Sequence, residues 1–319
     1  MELLKTENLF VGFSFLSKFQ NVLKDINLLI KKNETFALIG ESGSGKTLFA
    51  LSILRLLPRN GKVISGNIFF EGKNLTNLEE KELRLIRGRK ISIIFQEPLS
   101  SLNPVLKIGA QISESIRQWK QSSKKETREK TIEILKEVGF LNPEKWIDSY
   151  PHELSGGMRQ RVLIAMALSL ESDLLIADEP TSALDRSAHN EIVELLLKIK
   201  EERGISMILI SHDIGFVEKL ADRVGIIYSG EIMEVGEKKD IISNPFHPYT
   251  SGLLKSLPKY WKERRKKVYA MEGFIPSTEE TIKSCLFYPR CERKMEICKI
   301  DKPGLKKAIN REVRCWLYE

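Results

Sequence analysis

The chain has 319 residues, enough for a large core and for one main domain with appendages rather than two equal ones. No apolar run approaches the ~18 residues of a membrane-spanning helix, and Met1-Glu2-Leu3-Leu4-Lys5 lacks the basic flank and apolar stretch of a signal peptide, so a cytosolic protein able to dock on a membrane is expected. The net charge of +8 is compatible with nucleic acid, anionic lipid or an acidic protein, but Lys and Arg alternate with Glu, as from Lys124 to Lys130, which reads as ordinary solvated surface.

From residue 22 to 40 apolar residues alternate and end in Thr35-Phe36-Ala37-Leu38-Ile39, a run suited to a buried strand. It feeds Gly40-Glu41-Ser42-Gly43-Ser44-Gly45-Lys46-Thr47, which fits G-x-x-x-x-G-K-[ST]. A helix is predicted from Thr47 to Leu57, stopped by Pro58, so the loop has the strand-loop-helix setting its motif requires. Next, Gly66 to Gly72 reads as a strand with a turn, and Ile91 to Phe95 as a buried strand. The pattern from Ile108 to Val138 is helical and charged, suggesting a helical insert between two parts of an α/β core. Strands return at Leu174–Ala177 and Met207–Ser211 around a helix Ala188–Lys200, the βαβ rhythm of a parallel sheet. After about residue 240 the texture turns Pro-rich and basic, as in Asn244-Pro245-Phe246-His247-Pro248-Tyr249, which marks an appended region. Its densest basic run, Lys262 to Lys267, suits a membrane surface. All four cysteines, Cys285, Cys291, Cys298 and Cys315, lie in the last thirty-five residues, and in a reducing compartment such clustering favours metal or cluster ligation over disulfides.

A triphosphate concentrates negative charge that must be matched without blocking its terminal phosphate. Glycines at 40, 43 and 45 let successive amides point at phosphates from a helix N-terminus. Lys46 would meet the β- and γ-phosphates, and Thr47 would ligate Mg²⁺. Asp178 ends a buried strand, where α/β proteins gather ligands, and is expected to hold Mg²⁺ directly or through water. Gln96, just after another buried strand, can reach Mg²⁺ or the lytic water, and it heads a flexible Pro- and Ser-rich stretch to Pro104.

The ordered set formed by the Gly40–Thr47 loop, Gln96, Leu154-Ser155-Gly156-Gly157-Met158, Asp178-Glu179, Ser182-Ala183-Leu184-Asp185 and His212 resembles the ATP-binding cassette (ABC) ATPases. The resemblance implies an α/β P-loop NTPase cassette over residues 1–240. Such a cassette has a mixed sheet core and a helical subdomain, here roughly residues 100–165, followed by a small Cys-containing region over 241–319. It implies ATP and Mg²⁺ as ligands, Glu179 as the general base for the attacking water, and His212 as a γ-phosphate contact. It also implies that Leu154–Met158 grips nucleotide held by a neighbouring ATPase, with Ser182–Asp185 as the D-loop. Phe15 is the aromatic chosen for the adenine, with Phe13 and Phe19 as alternatives.

Finer matches lie in Gln96–Pro104, Tyr150–Arg161, Ala177–Asp185 and the tail His247-Pro248-Tyr249-Thr250, continued by Leu253-Leu254 and Ser256-Leu257-Pro258. These resemble the oligopeptide and dipeptide importer ATPases, and Met158 matches the OppD/DppD type rather than its paralogous partner. That family implies a second, paralogous ATPase, two membrane permeases and an extracellular peptide-binding protein reached through them. It implies no nucleic acid, and a peripheral position on the cytoplasmic face of the membrane. A nickel or other small-solute importer is the alternative, and a soluble DNA-repair or ribosome-associated ABC ATPase a more distant one. By the same resemblance Cys285, Cys291, Cys298 and Cys315 are expected to bind a [4Fe–4S] cluster, with Zn²⁺ or unligated thiols as alternatives. Ser284 replaces the family's usual Gly before the first Cys, and the Pro-rich approach is shortened to Phe274-Ile275-Pro276-Ser277.

Overall fold

The computed structural model describes residues 1–15, 18–119, 121–256, 271–273 and 283–319. The basic run from Lys262 to Lys267 and the stretch Phe274 to Ser277 lie outside them, as do Leu257 and Pro258. In chain order the strands are β1 (Glu2–Phe15), β2 (Lys18–Lys31), β3 (Thr35–Ile39), β4 (Gly61–Phe70), β5 (Lys73–Asn74), β6 (Ile91–Ile94), β7 (Leu174–Asp178), β8 (Ser206–Ile210), β9 (Arg223–Tyr228), β10 (Glu231–Glu237), β11 (Lys306–Ala308) and β12 (Arg311–Val313). The helices are α1 (Lys46–Ile53), α2 (Glu80–Ile86), α3 (Pro98–Ser101), α4 (Ile108–Trp119), α5 (Lys124–Glu137), α6 (Pro143–Trp146), α7 (Gly156–Leu168), α8 (Arg186–Arg203), α9 (Ile214–Leu220), α10 (Lys238–Ser243), α11 (Pro248–Lys255) and α12 (Glu296–Ile300). The chain divides into two compact units, one of residues 1–31, 36–77 and 221–319, the other of residues 32–35 and 78–220.

In the first unit β1 and β2 form a long antiparallel hairpin, Leu4 opposite Ile30, and β1 pairs on its other side with β4, Leu4 opposite Phe70. Leu9 and Val11 of β1, Leu23, Ile26 and Ile30 of β2 and Ile68 of β4 are buried, so one face of this sheet is core and the period of two is visible in the residues. β1 escaped the sequence reading because its register slips around Asn8, which sits at φ 45°, and the apolar alternation changes phase there. The predicted strand near Gly66 begins earlier, at Gly61, and ends at Phe70, where Glu71 and Gly72 turn back with positive φ. Helix α1 ends at Ile53, short of the predicted Leu57. Arg55 adopts a left-handed φ of 50°, Leu56 N–H bonds to Leu51 O and Arg55 N–H to Ser52 O, a Schellman ending that stops the helix before Pro58 is reached.

The same unit holds β3 parallel to β9, Phe36 opposite Arg223, and then the antiparallel series β9, β10, β12 and β11. β9 and β10 are joined by Ser229 and Gly230, both at positive φ, a two-residue hairpin turn. Strand β12 of the Cys-bearing region thus adds to β10, with Val313 opposite Glu234.

Between β10 and α11 a buried carboxylate organises the backbone. Glu234 is fully buried and takes hydrogen bonds from Arg311 Nη1 at 3.1 Å, Phe246 N–H at 2.9 Å and His247 N–H at 3.0 Å. His247 then caps α11, its Nδ1 accepting from Tyr249 N–H at 3.0 Å, with Pro248 at the first helical position.

In the second unit β6, β7 and β8 run parallel, Ile91 opposite Leu174 and Leu174 opposite Ser206. β7 and β8 are buried along their whole length, which is why they read as continuous apolar runs. The helical stretch from Ile108 to Val138 is two helices, because Ser123 and Glu126 form a reciprocal capping box that starts α5 afresh. Asp185 caps α8, which runs longer than predicted and ends at Gly204 in the left-handed region. Arg203 ties helix ends together, reaching both Glu137 oxygens at 2.7 and 2.5 Å and Leu168 O at 3.1 Å.

Burial pushes the His247 imidazole down from 6.5 to about 3. Between those values the unfolded chain binds a proton that the folded chain refuses, so stability present above pH 6.5 is lost as pH falls through that window. The thermal unfolding midpoint should therefore drop from about pH 7 to about pH 4, and His247→Asn, an N-cap acceptor that does not titrate, should flatten the slope.

Candidate functional site

The phosphate-type loop is built by β3 running into α1. Gly43 and Gly45 take positive φ of 78° and 103°, and a Cβ on Gly45 would meet Leu23 Cδ2 at 2.6 Å, so the conformation and the packing both require glycine there. A Cβ on Gly40 would collide with the Ile227 carbonyl. Gly45 caps α1 without any side-chain hydrogen bond, which leaves the first amides of the helix facing the loop. Lys46 is buried, and its Nζ donates to Gly40 O at 2.9 Å and Glu41 O at 3.0 Å. Ser44 Oγ is buried without a hydrogen-bond partner. Glycine-exposed amides, a cation within the loop and an unsatisfied hydroxyl fit a phosphate group. Ser42, Gly43 and Thr47 are exposed on the same loop.

Gly230, which the sequence reading passed over, closes the loop from behind. Its N–H donates to Ser44 O at 3.0 Å and its carbonyl accepts from Lys24 N–H at 2.8 Å. The signal was present as a Ser-Gly pair between two apolar runs. Phe15, expected at the adenine, ends β1, and its side chain lies outside the described residues. Of its alternatives, Phe13 faces Gly61 and the half-exposed Phe19 lies under the Lys62 ammonium, 5.1 Å from the ring centre.

In the second unit three predicted residues come together at the C-terminal ends of parallel strands, with Gln96 after β6, Glu179 after β7 and His212 after β8. Glu179 Oε2 lies 3.4 Å from Gln96 Nε2 and 3.2 Å from His212 Nδ1. Glu179 has φ 45°, a left-handed conformation that costs a non-glycine residue about 1 kcal/mol, and its N–H is held by Ile210 O at 2.9 Å. The carboxylate side chain is 14% exposed while His212 is 64% exposed, so the acid is sheltered and the imidazole faces outward. Asp178 is buried at the end of β7. A sheltered carboxylate between an imidazole and an amide can accept a proton from water and pass it outward.

The Leu154–Met158 segment is the start of α7. Leu154 is buried, Ser155 accepts from Met158 N–H at 3.3 Å as the helix cap, and Ser155 and Gly156 are exposed. A Cβ on Gly157 would meet Ala188 Cβ at 3.0 Å, and one on Gly156 would meet Leu184 Cδ2 at 3.6 Å, so the segment lies against the Ser182–Asp185 turn. Within that turn Ser182 Oγ donates to Glu179 O at 3.1 Å, and Asp185 Oδ1 accepts from Ser187 and Ala188 N–H.

The iron–sulfur expectation is not upheld. Among the described residues no group of three or more His, Cys, Asp or Glu is gathered so as to hold a metal ion, which removes the cluster and zinc alike. The four cysteines are free thiols. Burial pushes Cys285 up to about 12, Cys315 up to about 11 and Cys291 upward, and the neighbouring cysteines add to the rise. Cys315 packs with Phe246 and Val313 as an apolar side chain.

Residues 23–182 match the family of ABC transporters, and residues 233–298 match the oligopeptide/dipeptide transporter C-terminal region. The chain is 45% identical to the oligopeptide transport ATP-binding protein AppD of Bacillus subtilis, over 92% of this chain and 90% of that protein. It is 41% identical to the dipeptide transport ATP-binding protein DppD of the same organism, over 100% of this chain and 95% of that protein. A dimeric ATP-binding cassette solved in a post-hydrolysis state with ADP and Pi superimposes with a TM-score of 0.67 at 29% identity, covering 74% of this chain and 99% of that one.

A Cβ on Gly230 would collide with the Val22 carbonyl, and Gly230 sits at φ 81°. Gly230→Ala should therefore cost about 2–3 kcal/mol in denaturant unfolding, well above the effect of an ordinary surface substitution.

Proposed function

The chain belongs to the ATP-binding subunits of ABC transporters, and on that premise we propose that it hydrolyses ATP to power the import of peptides through a membrane transporter. The oligopeptide/dipeptide C-terminal match over 233–298 and the peptide-transport names of relatives at 41–45% identity favour peptides over nickel as cargo. The same peptide-transport names favour this reading over a repair or ribosomal role.

In this reading the Gly40–Thr47 loop cradles the triphosphate, with Lys46 turned toward the β- and γ-phosphates. Thr47, Asp178 and Gln96 are the residues that would hold Mg²⁺, whose charge would screen the phosphates. Glu179 takes the proton of the attacking water. His212 holds that carboxylate in place and contacts the γ-phosphate, and Gln96 orients the water. The exposed start of α7, Leu154 to Met158, presents amides and a helix dipole to nucleotide bound by a second, paralogous ATPase. The turn Ser182–Asp185 lies at the same junction. Two permeases and an extracellular peptide-binding protein complete the transporter, and the chain works at the cytoplasmic face. Among the described residues no helix is long and apolar enough to cross a membrane, so attachment would come through the permeases.

The observation that carries the catalytic reading is Glu179, sheltered and flanked by Gln96 and His212 at the ends of three parallel strands. In the transporter assembled in liposomes, Glu179→Gln should lower ATP turnover at least about 100-fold while leaving ATP bound. Turnover within tenfold of the parent would remove Glu179 from the base role, and uptake of nickel without uptake of labelled peptides would overturn the cargo.

A further inference from the structure

The motif His247-Pro248-Tyr249 and the segment Tyr288-Pro289-Arg290-Cys291 converge on one residue of the phosphate loop. Glu41 N–H donates to Tyr249 Oη at 3.0 Å. The Glu41 carboxylate receives a bidentate pair from Arg290, Nη1 to Oε2 at 3.0 Å and Nη2 to Oε1 at 3.1 Å. Both grips are themselves fixed. The Arg290 side chain is only 5% exposed, donates from Nε to Glu272 O at 3.3 Å and from Nη1 to Tyr228 Oη at 3.4 Å, and lies over the Tyr228 ring. Tyr249 is fully buried against Tyr228 and Phe287, and burial raises its phenol so that the hydroxyl stays protonated. Behind it stands the relay through His247 to the buried pair of Glu234 and Arg311.

We propose that Arg290 and Tyr249 are positioning residues for nucleotide binding: they hold Glu41 by side chain and by amide, so the C-terminal region presets the loop for phosphate. This rests on the reading of Gly40–Thr47 as the nucleotide loop. The physical reason is entropic. Three glycines in six residues leave the loop many conformations, and ordering them at the moment of binding subtracts from affinity. Within the loop Ser44 N–H donates to Glu41 O at 3.2 Å and Lys46 holds the carbonyls of Gly40 and Glu41, and the Lys46 hold weakens when the ammonium turns to phosphate. Arg290 and Tyr249 grip the same residue from outside the loop and do not have to let go. A bidentate guanidinium pair also fixes direction as well as distance, which an ammonium does not.

The test is titration of the full-length chain with a fluorescent ATP analogue, with unfolding followed in parallel without nucleotide. Arg290→Met should weaken binding about fivefold or more, and Tyr249→Phe, which keeps the ring and removes only the acceptor, about threefold. Arg290→Lys should recover part of the loss, and Glu41→Gln combined with Arg290→Met should be no worse than the weaker-binding single variant, because both break one interaction. Lys46→Ala is the control that separates this proposal from the reading beneath it. If Lys46→Ala abolishes binding while Arg290→Met and Tyr249→Phe stay within twofold of the parent, or lower only the unfolding midpoint, the positioning role is overturned and the loop reading stands. If Lys46→Ala binds like the parent, both fall. Should Arg290→Met fail to fold, the outcome for Tyr249→Phe decides.

Discussion

The carboxylate of Glu234, with no solvent exposure, is the group around which the C-terminal half of the first unit is arranged. A buried charge is tolerated only when it is paired and its oxygens are hydrogen-bonded. Arg311 supplies the charge and two consecutive amides, Phe246 and His247, supply the rest. Arg311 also donates to Asp240 O and Asn244 O and lies 4.0 Å from the centre of the Phe246 ring. Strand β10, helix α10, the start of α11 and strand β12 are therefore tied through one ion pair. The position of Tyr249, and with it the grip on the phosphate loop, follows from that pair.

The second unit solves a different problem. The general base proposed there must be sheltered enough to stay in place and still be open toward water. Parallel strands achieve this because their C-terminal ends release three chains side by side, and one residue from each can meet in a small space. Glu179 pays for its place with a left-handed backbone, and the hydrogen bond from its own N–H to Ile210 O holds it there. Asp178, buried at the last position of β7, and Glu179, turned out of the strand by its left-handed backbone, are adjacent acids in different settings.

The cysteines show where a resemblance overreaches the chain. Their sequence neighbourhood is that of the peptide-transporter C-terminal region, yet among the described residues they do not gather into a group that could hold a metal ion. What this region demonstrably contributes is packing, through Cys315 beside Phe246, and the Arg290 contact to Glu41.

The glycine loop and the acidic strand end were legible in the residues because each is governed by neighbours within a few positions: glycines that permit positive φ and an apolar run that buries a strand. Strand β1 was missed because a bulge breaks its alternation, and the helical stretch read over 108–138 is divided where Ser123 and Glu126 form a capping box. Beyond such local rules the sequence is silent. That Glu41 would meet Arg290 across 249 positions, that Gly230 would lie behind Ser44, and that Cys298 and Cys315 would be buried were decided by tertiary structure alone. Those contacts depend on which strands pair and which side chains the core encloses. No short stretch of residues carries that information.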